Sequence, residues 1–163
     1  MRFYRLDAAF AGVLALGLVS ESPLAQTATQ TVTFSVVSMS RAAVSGTASP
    51  IMVRTAIVSR APTSASVSGT SFAITTNESN QKIAASLGEP MPSGVSLAVS
   101  LAAPAGAASA GSKNLGIASA DVVTGISGVS AMALPIVYTL SATAGAPVAP
   151  RKRVVTFTIT AGM

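Results

Sequence analysis

This chain offers few residues for acid–base or nucleophilic chemistry, because it contains five acidic side chains and no histidine or cysteine. The lack of both residue types excludes Ser–His and Cys–His nucleophiles and the common transition-metal sites. Glu78 and Glu89 flank the run Gln81–Leu87, which would separate them by about 20 Å if it is extended. A carboxylate pair for glycoside cleavage needs roughly 5–10 Å. We therefore predict a protein that is not an enzyme and holds no cofactor or metal ion.

The run of charges Arg151-Lys152-Arg153 is a second feature that could meet a partner. One interpretation is contact with an anionic surface, such as lipid head groups or an acidic polysaccharide. The other is that the three charges protect the strand that follows them from edge-to-edge aggregation. We favour the protective role, because three charges give a modest attraction that salt screens.

Aromatic side chains are also few, and beyond residue 25 they are Phe34, Phe72, Tyr138 and Phe157. All four belong to alternating apolar patterns, so we expect them to face the core. No aromatic platform then remains for stacking sugars or single-stranded nucleic acid. Nucleic acid is therefore not an expected partner.

Residues 1–25 have the order of a secretory signal peptide. Arg2 and Arg5 form a basic start, Ala8–Val19 is apolar, and small residues lead to Ala25, the pattern of an export signal. The apolar stretch is shorter than the roughly 20 residues that span a bilayer. We predict export to the periplasm, the cell surface or the extracellular medium, with no membrane span.

Cleavage is expected after Ala25, with Ser22 and Ala28 as alternative positions, and retention of the segment as an N-terminal helix is the competing interpretation. The domain that remains, residues 26–163, carries eight basic and three acidic side chains, a net charge of +5. Half of the whole chain is hydrophobic and 9% is charged, a composition typical of a folded domain rather than a disordered one.

Alternation of apolar and polar residues with a period of two is the main structural signal, and it predicts β-strands. The clearest runs are Val32–Val36, Phe72–Ile74, Ile83–Leu87, Val95–Ala102, Ile136–Ser141 and Val155–Thr160, and weaker ones are Ala42–Gly46, Ile51–Ala56 and Ala65–Gly69. We expect a hairpin loop at Asn77–Asn80, a loop at Pro104–Ser112 and a short helical turn at Ser119–Val123. Eight or nine such strands predict one all-β domain, an antiparallel immunoglobulin-like β-sandwich.

The first and last predicted strands, Thr31–Val36 and Val154–Ile159, are nearly identical in pattern. Both are ordinary core strands in the interpretation that we favour, since similar strands are common in sandwiches. In the other interpretation the first strand leaves its own domain and completes the sheet of another subunit. Val32, Phe34 and Val36 would then be the side chains that enter the partner.

Five strand and turn segments carry a resemblance, and they are Thr31–Phe34, Ala73–Glu78, Met91–Val95, Tyr138–Ala144 and Val155–Thr160. In these segments the chain resembles a group of small exported bacterial β-sandwich proteins without an assigned function, and it is loosely similar to pilin-like and spore-coat-type surface subunits. The resemblance implies a secreted or surface structural role, and it transfers no catalytic residue.

These observations predict a non-enzymatic exported structural or cell-surface protein, such as a subunit of a fibre or an extracellular matrix. Its partners would be copies of itself or other surface proteins. The alternative is a secreted or periplasmic binding module that recognises a protein or a polysaccharide through the loops near Asn77–Asn80 and Pro104–Lys113.

Overall fold

The computed structural model describes residues 30–54, 63–147 and 151–163. The chain divides into two compact units, Met1–Ser35 and Val36–Met163. Within the first unit, residues 30–35 are exposed and have no regular secondary structure. The predicted signal peptide and its cleavage positions lie outside the described residues. The described residues contain no helix long and apolar enough to cross a membrane.

The second unit is built from β-strands, and its described residues contain no helix. The strands are β1 (Ser40–Ser45), β2 (Thr63–Thr76), β3 (Gln81–Leu87), β4 (Val95–Leu101), β5 (Ala108–Ser109), β6 (Lys113–Asn114), β7 (Ala120–Ile126), β8 (Val129–Ala142) and β9 (Val155–Ala161). They form a five-stranded sheet in the order β1-β2-β8-β4-β6 and a four-stranded sheet in the order β5-β7-β3-β9. All pairings are antiparallel. The prediction of an all-β fold is confirmed.

The two sheets share one core, because alternation turns one face of each strand inward. In β4, for example, Leu97, Val99 and Leu101 are buried, while Ser96 is exposed. The largest fully buried side chains come from both sheets and are Ile74, Ile83, Leu101, Ile126, Ile136, Val99, Val122 and Val123. The strands predicted around Phe72–Ile74, Ile83–Leu87, Val95–Ala102, Ile136–Ser141 and Val155–Thr160 are confirmed.

The loop Asn77–Asn80 does not close a hairpin, so that prediction is wrong. β2 pairs with β1 and β8, whereas β3 pairs with β7 and β9. The loop therefore carries the chain from one sheet to the other. Alternation shows that two successive strands each have an apolar face, but it does not show whether those faces lie side by side or pack across the core.

Two other local predictions are also wrong. Ser119–Val123 is not a helical turn, because β7 begins at Ala120 and pairs with β3, and the adjacent Val122 and Val123 are both buried beside a register shift. Residues 51–54 have no regular structure, and the rest of the predicted strand Ile51–Ala56 lies outside the described residues. The weak strand Ala42–Gly46 corresponds to β1, and Ala65–Gly69 is part of the long strand β2.

The first predicted strand is not present, since residues 30–39 have no regular secondary structure. Phe34, which we expected in the core, is 84% exposed, and Val32 and Val36 are 71% and 79% exposed. The apolar alternation of this segment is therefore intact in the sequence but has no partner strand among the described residues. Phe72 and Tyr138 are buried as expected, and Phe157 is half-buried.

The two sides of the sandwich differ. On one side the segment Ala108–Asn114 crosses from the four-stranded sheet, where β5 pairs with β7, to the five-stranded sheet, where β6 pairs with β4. These edge strands have two residues each, and very short edge strands give little backbone for a further strand to pair with. On the other side the edges are the longer strands β1 and β9.

Candidate functional site

The apolar side chains of β1 face the core side of the sheet, but they remain exposed to solvent. Val44 pairs with Phe72 and Ala42 pairs with Ile74, and residues paired across two strands face the same side of the sheet. Phe72 is 3% exposed, yet Val44 is 50% exposed and Ala42 is also exposed. The inward face of this edge strand therefore lacks a covering element among the described residues.

β9 has the same property on the opposite sheet. Phe157 pairs with Ala85 and Ile159 pairs with Ile83, both of which are buried. Phe157 and Ile159 thus face inward, but they are only half-buried. The outward side chains of this strand are the exposed Thr156, Thr158 and Thr160.

An apolar cleft opens between these two edge strands. Its buried floor is formed by Phe72, Ile83 and Leu101, and its mouth is formed by Ala42, Val44, Phe157 and Ile159. The cleft is small and open to solvent, with a cavity volume of about 20 Å³. None of the seven lining residues is charged or polar, so the cleft is suited to apolar side chains and offers no group for catalysis or for an ion.

The outer edge of β9 is available for pairing. In the described part of the chain β9 pairs with β3 alone, so every second backbone N–H and C=O of its seven residues points away from the sheet. The strand, from Val155 to Ala161, contains no charged residue, glycine or proline. Such an edge is a template for a further strand.

The basic residues that precede β9 do not form one free patch. Arg153 lies 3.3 Å from Glu89, and its Nε donates a hydrogen bond of 3.1 Å to the carbonyl oxygen of Pro90. Its side chain is 16% exposed, while Arg151 and Lys152 are exposed. Two of the three predicted contact residues are therefore available to solvent, and the third fixes the start of β9.

The acidic side chains of the described residues are each engaged with a different neighbour. Glu78 accepts hydrogen bonds from the Ser38 hydroxyl and from Gln81. Asp121 lies 3.0 Å from the Lys82 ammonium. Together with Glu89, these carboxylates form no group that could hold a metal ion in the part of the chain that the structure describes.

The loop proposed for a binding module is used internally. Asn77 Oδ1 accepts a hydrogen bond of 2.7 Å from the backbone N–H of Met39, and Asn77 Nδ2 donates one of 2.8 Å to the carbonyl oxygen of Val37. These two bonds hold the residues just before β1 beside the loop. The other loop, Pro104–Lys113, contains β5 and the first residue of β6 and pairs with both sheets.

Tyr138 is the described residue whose pKa departs clearly from its ordinary value. It lies in β8 between Val67 and Val99 and is 9% exposed. Burial raises the pKa of its phenol above 10.0, because the charged phenolate is poorly solvated there. The neutral side chain packs in the hydrophobic core.

Comparison of the chain with protein-family models, with curated proteins and with solved structures finds no match.

The cleft itself was missed by sequence reasoning. Alternation predicted the strands that contain Val44 and Phe157, but edge position follows from which strands pair, and no local pattern reports that.

Proposed function

We propose that the domain is an incomplete immunoglobulin-like sandwich. In the constant-type arrangement one sheet has the strand order A, B, E, D and the other C, F, G. The order β1-β2-β8-β4 fits the first sheet, and β3 and β9 fit C and F, all in the right sequence along the chain. The place of strand G, beside the outer edge of β9, is empty in the described part of the chain, and the apolar cleft lies there.

The function that we propose is that of a non-enzymatic, exported structural protein that associates with copies of itself or with other surface proteins, as a subunit of a fibre or an extracellular matrix. The observation that carries the proposal is the cleft between β1 and β9, where inward-facing apolar side chains are left half-exposed. Each Val or Phe side chain that becomes fully buried contributes about 1.5–3 kcal/mol. A partner strand would bury several at once and add backbone hydrogen bonds.

The hydroxyl-rich outer surface supports the same role. On the five-stranded sheet, Ser66 and Thr139 lie 2.8 Å apart across neighbouring strands, and Thr75 and Ser130 lie 3.2 Å apart. Pairs of this kind stabilise neighbouring strands modestly and leave the face uncharged and hydrated. The cleft, by contrast, brings several apolar side chains together at one place, which favours a directed contact between subunits.

The test is the assembly state of the exported protein, purified after processing and identified by N-terminal sequencing. Size-exclusion chromatography with light scattering over a wide concentration range should show oligomers that grow with concentration, and negative-stain microscopy should show chains or fibres. Because the cleft is uncharged, association should persist at high salt, where contacts of the basic run are screened. A protein that stays monomeric at every concentration and salt contradicts association between copies of the chain.

A further inference from the structure

We propose that β1 of one copy of this chain pairs antiparallel with β1 of a second copy across a two-fold axis. The two five-stranded sheets would then form one continuous sheet, and the apolar clefts of the two copies would meet beneath it. This inference rests on the self-association proposed above, and it names the surface, the symmetry and the register of one contact.

The outer edge of β1 is open in the described part of the chain. β1 pairs with β2 alone, and that pairing is continuous from Ser40 to Ser45. Every second backbone N–H and C=O of the strand therefore points away from the sheet. The strand contains no glycine or proline and its pairing shows no bulge, so it lacks the devices that commonly blunt an edge against a further strand.

A two-fold axis perpendicular to the sheet determines which residues of the two strands meet. Such an axis keeps the inward faces of both copies on the same side, so an inward residue always opposes another inward residue. Pairing centred on Ala43 places Ala42 opposite Val44 of the second copy, and it places Arg41 opposite Ser45. Apolar side chains then meet on the inward face, and each guanidinium group meets a hydroxyl on the outward face.

The neighbouring registers fit less well. Pairing centred on Ala42 would set the hydroxyl of Ser40 against Val44 of the second copy. Pairing centred on Arg41 would set two guanidinium groups directly opposite each other, and like charges in that arrangement destabilise a strand pair. Pairing centred on Val44 would leave half of each strand without a partner. β1 is therefore complementary to itself in one register.

The same axis joins the two apolar clefts. The mouth of each cleft is formed by Ala42, Val44, Phe157 and Ile159, at the side of the sandwich that the second copy would approach. Together with the paired strands, these residues would bury on the order of 500 Å² on each copy. The total reaches the roughly 1,000 Å² expected of a specific interface. The lining of the cleft carries no charge, so its closure removes no ionised group from water.

The first test is a cross-link at one position, which is simple to read because the chain contains no cysteine. Ala43 would lie opposite its own counterpart, with Cβ atoms about 4.5–5.5 Å apart, close to the spacing that a disulfide needs. We expect Ala43→Cys in the processed protein to give a disulfide-linked dimer under mild oxidation, seen by non-reducing electrophoresis.

Two further cysteine variants test the register and control for random collision. The Ser45 residues of the two copies would lie more than about 10 Å apart, so Ser45→Cys alone should not cross-link. Arg41→Cys alone should not cross-link either, for the same reason. An equimolar mixture of the Arg41→Cys and Ser45→Cys proteins should form a linked dimer, because these two positions oppose each other.

The second test places the same charge at two neighbouring positions of β1. Val44→Asp puts a carboxylate of each copy into the joined clefts, whereas Ser45→Asp puts one opposite Arg41 of the second copy. Val44 is half-exposed and Ser45 is exposed, so both variants should fold, as circular dichroism would verify. We expect Val44→Asp to weaken dimerisation about 30-fold or more and Ser45→Asp to strengthen it about 2- to 30-fold, measured by sedimentation equilibrium.

The outcomes separate this inference from the proposed function. Oligomers in which Ala43→Cys does not cross-link overturn pairing through β1 and leave self-association standing. Cross-linking of Ser45→Cys as readily as Ala43→Cys, or an equal effect of Val44→Asp and Ser45→Asp, overturns the register. A processed protein that is monomeric at every concentration overturns both proposals. A cross-linked dimer that grows no further supports the β1 contact and contradicts the fibre.

Discussion

Val44 and Phe34 stand out among the apolar residues because of where they are exposed. A single exposed apolar side chain is normal on a protein surface. Val44, however, faces the same side of its sheet as the buried Phe72 and is still half-exposed. Phe34 belongs to a regular apolar alternation and is 84% exposed. Val44 is thus an inward-facing residue that no described element covers. Phe34 belongs to an apolar strand pattern that has no partner strand among the described residues.

Tyr138 makes stability depend on pH in the alkaline range. Its folded-state pKa is raised above 10.0 by burial, so its contribution is fully present below about pH 10, where the unfolded chain is also neutral. It is lost as pH rises through the folded-state pKa, because ionisation then favours the unfolded chain. We expect Tyr138→Phe to remove this part of the alkaline decline in the free energy of unfolding.

The measurement is urea unfolding of the original protein and the variant at a series of pH values from about 8 upward. The difference in the free energy of unfolding between the two proteins should be constant below about pH 10 and should change above it. Equal pH dependence of both proteins throughout the series would show that Tyr138 does not titrate in the way that its burial requires.

The loop between β2 and β3 decides where the chain enters β1. The two side-chain hydrogen bonds of Asn77 to the backbone of Val37 and Met39 are both removed by Asn77→Ala. At about 0.5–1.5 kcal/mol for each bond, we expect a loss of roughly 1–3 kcal/mol in the free energy of unfolding. Ser79→Ala in the same loop is the matched control, because the described structure shows no hydrogen bond of its hydroxyl.

Chemical denaturation of both variants measures this effect, with an expected loss below about 0.5 kcal/mol for Ser79→Ala. A similar small change for Asn77→Ala would mean that the two bonds are exchanged for water at no cost. Anchoring of residues 37–39 would then come from the backbone bond between Asn77 and Met39 and not from the side chain.

β9 combines an open edge with a charged start. Arg153 is held by Glu89 and Pro90, and Arg151 and Lys152 lie exposed just ahead of the strand. Charges at this position discourage disordered edge-to-edge pairing. They lie outside the strand itself, so a specific strand can still add to residues 155–161. The protective interpretation of the basic run is therefore compatible with association at the edge of β9.

At the scale of the whole molecule, association through the cleft should raise thermal stability with concentration. A partner that binds the folded domain and not the unfolded chain stabilises it by mass action, by about 1.4 kcal/mol for each tenfold rise well above Kd. For a domain of this size that raises Tm by roughly 3–6 °C per tenfold rise. Calorimetry at several protein concentrations measures this change in Tm.

A Tm of the original protein that is independent of concentration would contradict assembly through folded-state contacts. A Tm that falls as concentration rises would indicate aggregation of the unfolded chain instead. The change of Tm with protein concentration is zero in the first case, negative in the second and positive if folded domains associate, so the experiment distinguishes all three.

Much of the fold could be predicted from the sequence, because strands with one buried face require alternation. The runs around Val95–Ala102 and Val155–Thr160 became β4 and β9 almost residue for residue. The predictions failed where local pattern and tertiary pairing give different answers. Ser119–Val123 has a capping residue but pairs with β3, and Asn77–Asn80 has turn residues but connects two sheets.

The cleft between β1 and β9 could not be predicted from the sequence. The alternation of Val32, Phe34 and Val36 and its likeness to β9 are visible in the sequence, and strand exchange was one of two interpretations of it. The cleft was not visible in the sequence, because Val44 and Phe157 have the pattern of ordinary core residues. Their exposure depends on which strands lie at the edge of each sheet.

The sequence by itself determined the poverty of catalytic groups, the all-β character of the domain and the interior face of most strands. These follow from residue type and from a period of two, which are local properties. Only the tertiary structure decided that β2 and β3 belong to different sheets, that one side of the sandwich is closed by Ala108–Asn114 and that the other is open. Those features depend on which distant segments pair with each other. Backbone hydrogen bonds are the same for every sequence, so packing of the whole core determines which strands become neighbours.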